Sequence, residues 1–180
     1  MNAIEAIKGS LFWRVLGLFQ KAILILSSLF VALIMCAQVL MRYVFKSDLY
    51  GMEEIIVIVA FWLYFMGSSY GVYEKSHVRA DIIPQLLSEK PRRILSLAVQ
   101  ATMTALCLLF SWWGLDFIGY SLQEMPRTLI WAIPLAVGQS SVLAGYLIMS
   151  FYSVVYLAEE FLEIRAFLRK DSTAEATQAR

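Results

Sequence analysis

Four apolar stretches, none containing Asp, Glu, Lys, Arg or His, take up over half of this 180-residue chain. They run from Ala22 to Met41, from Ile55 to Tyr73, from Ile94 to Leu115, and within Thr128 to Ala158. Charge bounds each one: Lys21 and Arg42, Glu54 and Glu74, Arg93 and Asp116, Arg127 and Glu159. A helix needs about 20 apolar residues to cross the hydrocarbon core of a bilayer, and all four stretches meet that requirement. A soluble domain would interrupt its helices with charge along each exposed face; here the charge is confined to ends and connections. The expected fold is therefore an all-α integral membrane protein. It has four transmembrane helices at about 22–41, 55–73, 94–115 and 134–157, plus short interfacial amphipathic helices. Residues 1–170 form one domain, and the polar residues from Asp171 to Arg180 are expected to be a disordered tail.

The chain is 60% hydrophobic with a mean hydropathy of +0.68, so no separate soluble module is expected. Its net charge of +1 says little, but the placement of the charges says more. Lys8, Arg14 and Lys21 precede the first span, and Lys75, Arg79, Lys90, Arg92 and Arg93 follow the second. Arg165, Arg169, Lys170 and Arg180 follow the fourth. These twelve basic residues fall on one side; Arg42, Lys46 and Arg127, three in all, fall on the other. The positive-inside rule then places both termini and the middle connection in the cytoplasm. The first span is too long for a signal-peptide core and is expected to be retained.

The connections carry their own patterns. Ile4, Ile7, Leu11, Val15 and Leu18 recur at helical spacing before the first span, with Phe12 and Trp13 suited to the headgroup region. This segment reads equally as a separate approach helix or as an extension of the first span. Arg42 ends one helix while Glu53 and Glu54 begin the next, which suits both helix dipoles. The three are close enough to pair, but charge at span ends is ordinary and they read first as interfacial charges that stop the spans. Val78, Ile82, Ile83, Leu86 and Leu87 suggest a cytoplasmic interfacial helix bent at Pro84. Arg92 and Arg93 anchor the third span on the inner side. Trp112, Trp113 and Trp131 frame its outer connection, at the boundary that indoles prefer. An interfacial approach to about Ile133, with a helix from Pro134, accounts for the long uncharged run before Glu159.

Enzyme chemistry fails on inventory. His77 is the sole histidine, which excludes a bis-histidine haem within one chain. Cys36 and Cys107 lie inside separate spans, and neither metal-ligand spacing nor a nucleophile elbow is present. No cofactor, metal or nucleic acid is expected; membrane lipids are. Gly67 and Gly71 form a G-x-x-x-G on the second span, and Trp62 lies near its middle, which suggests packing against protein. Ser141 and Gly145 offer a second close-approach surface. Gln38, Gln100 and Gln139 suit interhelical hydrogen bonds.

The runs R-Y-V-F from Arg42, G-M-E-E-I from Gly51, F-W-L-Y-F-M-G from Phe61 and H-V-R-A-D from His77 resemble the DctQ family. These are the small membrane subunits of tripartite ATP-independent periplasmic (TRAP) transporters. The likeness covers the first two spans and the following connection; the remainder matches in length and topology. The resemblance implies a bacterial inner-membrane protein. Its implied partners are a large permease subunit that binds substrate and sodium, and a periplasmic substrate-binding protein. It also implies uptake of an organic acid such as a dicarboxylate or sialic acid. Arg42, Glu53, Glu54, His77 and Asp81 carry over from it as structural or interface residues, and Trp62, Gly67 and Gly71 are the first candidates to face the partner. A four-helix scaffold of another inner-membrane complex is the alternative.

Overall fold

The computed structural model describes residues 2–47, 49–75 and 88–178. They form helices α1 (Asn2–Gly9), α2 (Leu11–Tyr43), α3 (Met52–Tyr73), α4 (Glu89–Glu124) and α5 (Ala136–Gln178). Four are long and apolar enough to cross a membrane: Leu11–Tyr43, Met52–Tyr73, Glu89–Glu124 and Ala136–Phe167. The segment before the first span is both a separate helix and an extension. The chain breaks at Ser10, whose extended backbone (ψ 148°) lets its hydroxyl accept from the Trp13 N–H at 3.2 Å. That side-chain cap starts α2 at Leu11, and from there the helix runs unbroken through the membrane stretch.

The helices stand in a row instead of closing into a bundle. Among the described residues, neighbours meet in the order α2, α3, α5, α4, with α1 folded against α2 and α5. In the most apolar window of each helix, 44% of residues are buried in α5, against 22% in α4, 17% in α3 and 0% in α2, so α5 is the most enclosed helix and α2 the least. Because α4 separates them in sequence, α3 and α5 run parallel; α2 and α4 run antiparallel to their neighbours. Interhelical association in lipid has no strong hydrophobic drive, so close backbone approach and hydrogen bonds hold the seams.

Each seam shows this. Between α3 and α5, a Cβ on Gly145 would lie 2.8 Å from Phe65 Cβ and 3.0 Å from its carbonyl oxygen. Between α4 and α5, Ser111 and Ser150 hydroxyls lie 2.9 Å apart, and Gln100 Nε2 donates to the Ser153 carbonyl at 3.2 Å. Gly114 abuts Leu143 in the same seam. Between α2 and α3, Gln20 Nε2 donates to Ser69 Oγ at 2.6 Å, and Gly67 faces Leu24.

Three expectations change. Helix α4 does not end near Leu115 but passes through Asp116 to Glu124, where Met125 (φ 43°) turns the chain. Helix α5 begins at Ala136 instead of Pro134, because Pro134 is held in an isolated bridge with Arg127. The backbone is helical as far as Gln178, past the expected start of the tail, in keeping with the helix-favouring Ala174, Glu175 and Ala176. The expected interfacial helix around Pro84 lies outside the described residues.

Gly145→Ala should wedge α3 from α5 and cost about 1–3 kcal/mol, because backbone atoms cannot step aside as a side-chain tip can. Gly119→Ala, with nothing within 4 Å, should be neutral or slightly stabilising. Unfolding of both variants in mixed detergent checks this; equal stabilities would contradict the close approach.

Candidate functional site

The polar groups concentrate at the two ends of the row. At the loop end, Glu54 lies in the first turn of α3 and reaches the α4–α5 connection. Its carboxylate oxygens accept from the backbone N–H groups of Ile130 at 2.8 Å and Trp131 at 3.0 Å. The Thr128 hydroxyl and the Leu129 N–H add to the same carboxylate. Thr128 also accepts from the Ile133 N–H at 3.0 Å, and the Leu135 N–H donates to the Pro126 carbonyl at 2.9 Å. The connection is thereby a closed turn seated on α3. Gly51 makes the seat possible: its φ is +83°, and a Cβ there would fall 2.2 Å from the Trp131 indole nitrogen. A left-handed φ and direct indole contact both demand glycine.

At the opposite end, α1, α2, α3 and α5 converge on an aromatic cluster. Trp13, only 6% exposed, has ring centroids 4.7 Å from Tyr152, 5.8 Å from Tyr73 and 5.9 Å from Tyr156. The Tyr152 hydroxyl donates to Gln20 Oε1 at 2.9 Å, extending the Gln20–Ser69 bond into a chain across three helices. The Tyr156 hydroxyl donates to the Tyr73 carbonyl at 2.7 Å. Above this, Glu159 pairs with both Lys8 and Lys75, whose ammonium groups lie 4.9 and 4.6 Å from the Tyr156 ring centroid. Both ion pairs are partly solvated, so their contribution is modest; the buried chain beneath them does more.

The residues singled out in the sequence meet different fates. Arg42 is exposed and makes no ion pair among the described residues, so the pairing open to it with Glu53 and Glu54 does not form. Glu53 accepts from Gln38 Nε2 at 3.4 Å instead, and Glu54 is taken up by the loop amides. Trp62 donates to the Val137 carbonyl at 3.0 Å, which fits packing against protein, here the chain's own α5. Gly67 faces α2, and Gly71 is half-buried on α3. Trp13 is enclosed by Tyr73, Tyr152 and Tyr156. Trp112 and Trp113 are exposed on α4, and Trp131 covers Gly51. Arg92 is exposed; Arg93 lies 3.6 Å from Glu89 and over the Phe167 ring. Gln100 and Gln139 bond across the α4–α5 seam, Gln139 with Ser121. His77 and Asp81 lie outside the described residues.

The aromatic cluster and the Lys8–Glu159–Lys75 bridge have no pattern in the sequence that marks them. Gln20 and Ser69 were the available signal, polar residues beside or within apolar stretches, but their pairing depends on interhelical register. The arrangement uses its polar side chains to hold helices together. No group of three potential metal ligands occurs among the described residues.

Glu54→Ala should leave the Ile130 and Trp131 amides without acceptors and speed their hydrogen exchange, while α4 amides near Cys107 stay unchanged. Unchanged exchange at 130 and 131 would mean the turn holds itself. A double-mutant cycle of Gln20→Leu and Tyr152→Phe should give a coupling of about 0.5–1.5 kcal/mol in unfolding experiments.

The sequence matches the family model described as "Tripartite ATP-independent periplasmic transporters, DctQ component" over residues 31–163. A stretch of 90 residues, 49% of this chain, is 32% identical to the sialic acid TRAP transporter permease protein SiaT of Haemophilus influenzae (strain 86-028NP). That stretch covers 15% of the relative's length, so the chain corresponds to a small part of that permease. With four apolar helices of membrane-crossing length, this chain belongs to the DctQ family of TRAP transporter components: a multi-pass protein of the bacterial inner membrane that takes part in transport and is not an enzyme.

Proposed function

We propose that this chain is the small permease subunit of a TRAP transporter, a scaffold beside a large subunit that translocates substrate. The observation that carries this reading, together with family membership, is the use of its polar groups. Gln20, Ser69, Tyr152, Gln100, Ser111, Ser150 and Glu54 are spent on bonds between the chain's own helices and turns. Such an assembly resists deformation and suits a static support for a partner that moves. The similarity of 90 residues to part of a much longer permease supports work alongside a larger polypeptide.

The cargo class follows from the same similarity. The relative is named for sialic acid, an organic acid, so an organic acid (sialic acid or a dicarboxylate) is the proposed solute. In this reading sodium drives uptake through the large subunit, and a periplasmic binding protein delivers the solute. The excess of basic residues on the Lys8–Lys75–Arg93 side, twelve against three, supports cytoplasmic termini and a periplasmic Glu54-clamped turn.

The test is reconstitution of the large subunit in proteoliposomes with and without this chain, in the presence of the binding protein. Sodium-gradient-driven uptake of a sialic acid or dicarboxylate should require the chain, and the chain alone should transport nothing. Equal uptake without it would overturn the scaffold reading.

A further inference from the structure

The apolar stretches of the four long helices are not level with one another. Side-chain bonds set a common scale along the row. At the loop end, Ser121 on α4 bonds Gln139 on α5, whose neighbour Gly138 lies against Ile58 on α3. Ser121, Gln139 and Ile58 therefore share one height, about 6 Å below Glu54 at 1.5 Å per residue. Asp116 lies five residues further down α4, about 13 Å below Glu54. On α2, Gln38 bonds Glu53, and Arg42 stands about 6 Å above that bond.

The other end drifts the same way. Ser96 on α4 bonds Glu160, and Lys75 after α3 bonds Glu159, so these share a height. Arg93 lies about 5 Å beyond it on α4. Lys21, next to the Gln20–Ser69 bond, lies about 9 Å short of it on α2. Both charged limits thus shift in one direction along the order α2, α3, α5, α4. The shift totals about 14–19 Å over three helix spacings of about 9 Å each.

A bilayer perpendicular to the helices cannot satisfy these limits. It would hold Asp116 near its middle, along with Trp112 and Trp113, which are 66% and 55% exposed. Asp116 is itself exposed on the flank of α4. An unshielded carboxylate at that depth costs several kcal/mol, and indoles favour the headgroup level.

We infer that the row leans in the bilayer by about 30° within its own plane, α4 raised toward the loop side and α2 lowered toward the side of the termini. This lean lies within the range open to membrane helices. It brings Lys21, Arg42, Glu54, Arg93 and Asp116 to the two interfaces together and raises Trp112 and Trp113 to within about 6 Å of the loop-side interface. The lipid-contacting band then runs diagonally, from Leu26, Leu29 and Leu33 on α2 to Leu106, Leu108 and Leu109 on α4, all exposed. The last two turns of α4, with Phe117 and Tyr120, stand clear of hydrocarbon on the loop side.

Val57 on α3 and Tyr120 on α4 supply the test. They lie within about 3 Å of one height along the row, Val57 just above Ile58 and Tyr120 just below Ser121, and are 54% and 62% exposed. Nitroxides at Val57→Cys and Tyr120→Cys, in full-length chain carrying Cys36→Ala and Cys107→Ala, are compared in bilayers with the large subunit. Position 120 should lie about 6 Å nearer the loop-side water, colliding more with an aqueous nickel chelate and less with oxygen. Equal depths, or the reverse order, overturn the lean. Nitrogen-15 NMR of the same complex in oriented bilayers reads the angle even where protein shields a label. A common lean of all four helices near 30° is expected, and axes within about 10° of the normal would overturn it. Loss of uptake function in reconstitution bears on the scaffold reading and leaves this geometry untouched.

Discussion

The close approach of α5 to its two neighbours is the constraint on which the rest of this structure depends. In lipid, apolar side chains gain little by leaving their surroundings, so helices associate where small residues admit another backbone and hydroxyls or amides find partners. Helix α5 meets that demand on two flanks. Gly138 and Gly145 admit Ile58 and Phe65 of α3, while Ser150 and Ser153 meet Ser111, Thr104 and Gln100 of α4. With α5 in the centre, α2 can join only at the edge through Gln20, Gly17 and Leu24. A row of four follows, and with it two broad faces.

The two ends of the row are closed by different chemistry. The loop end uses one carboxylate to organise a turn, with Glu54 taking the amides of Ile130 and Trp131 that would otherwise face solvent. The other end uses aromatic rings and a Gln–Ser–Tyr hydrogen-bond chain, with Glu159 drawing Lys8 and Lys75 over Tyr156. Both closures tie elements that are distant in sequence, and both stiffen the row along its length. Under the proposed scaffold role such stiffness is useful, since a static support transmits no motion of its own.

Much of the architecture was legible in the residues, and the failures have physical reasons. Charge exclusion marked the four membrane stretches, and each lies in one long helix apart from Pro134 and Leu135, which precede α5. Arg42, Glu53 and Glu54 have complementary signs and are near in sequence, yet they do not pair. A loop carrying several free N–H groups is a better partner for Glu54 than a solvated guanidinium. Charge usually stops a span, so Asp116 marks the end of the third apolar stretch in the sequence; that stretch ends within a helix that continues to Glu124. The helical spacing around Trp13 does not show that Tyr73, Tyr152 and Tyr156 enclose it, because no local pattern could place those three together.

By itself, the sequence determined that this chain crosses a membrane four times, where charge limits each crossing, and to which transporter family its helix-end motifs point. Those properties depend on transfer of side chains between water and lipid, which is local and additive along the chain. Only the tertiary structure decided the order of helices in the row, the partners of Gln20, Glu54 and Trp62, and the stagger of the apolar stretches. These depend on register between helices remote in sequence, set by the fit of a few small residues and hydrogen bonds.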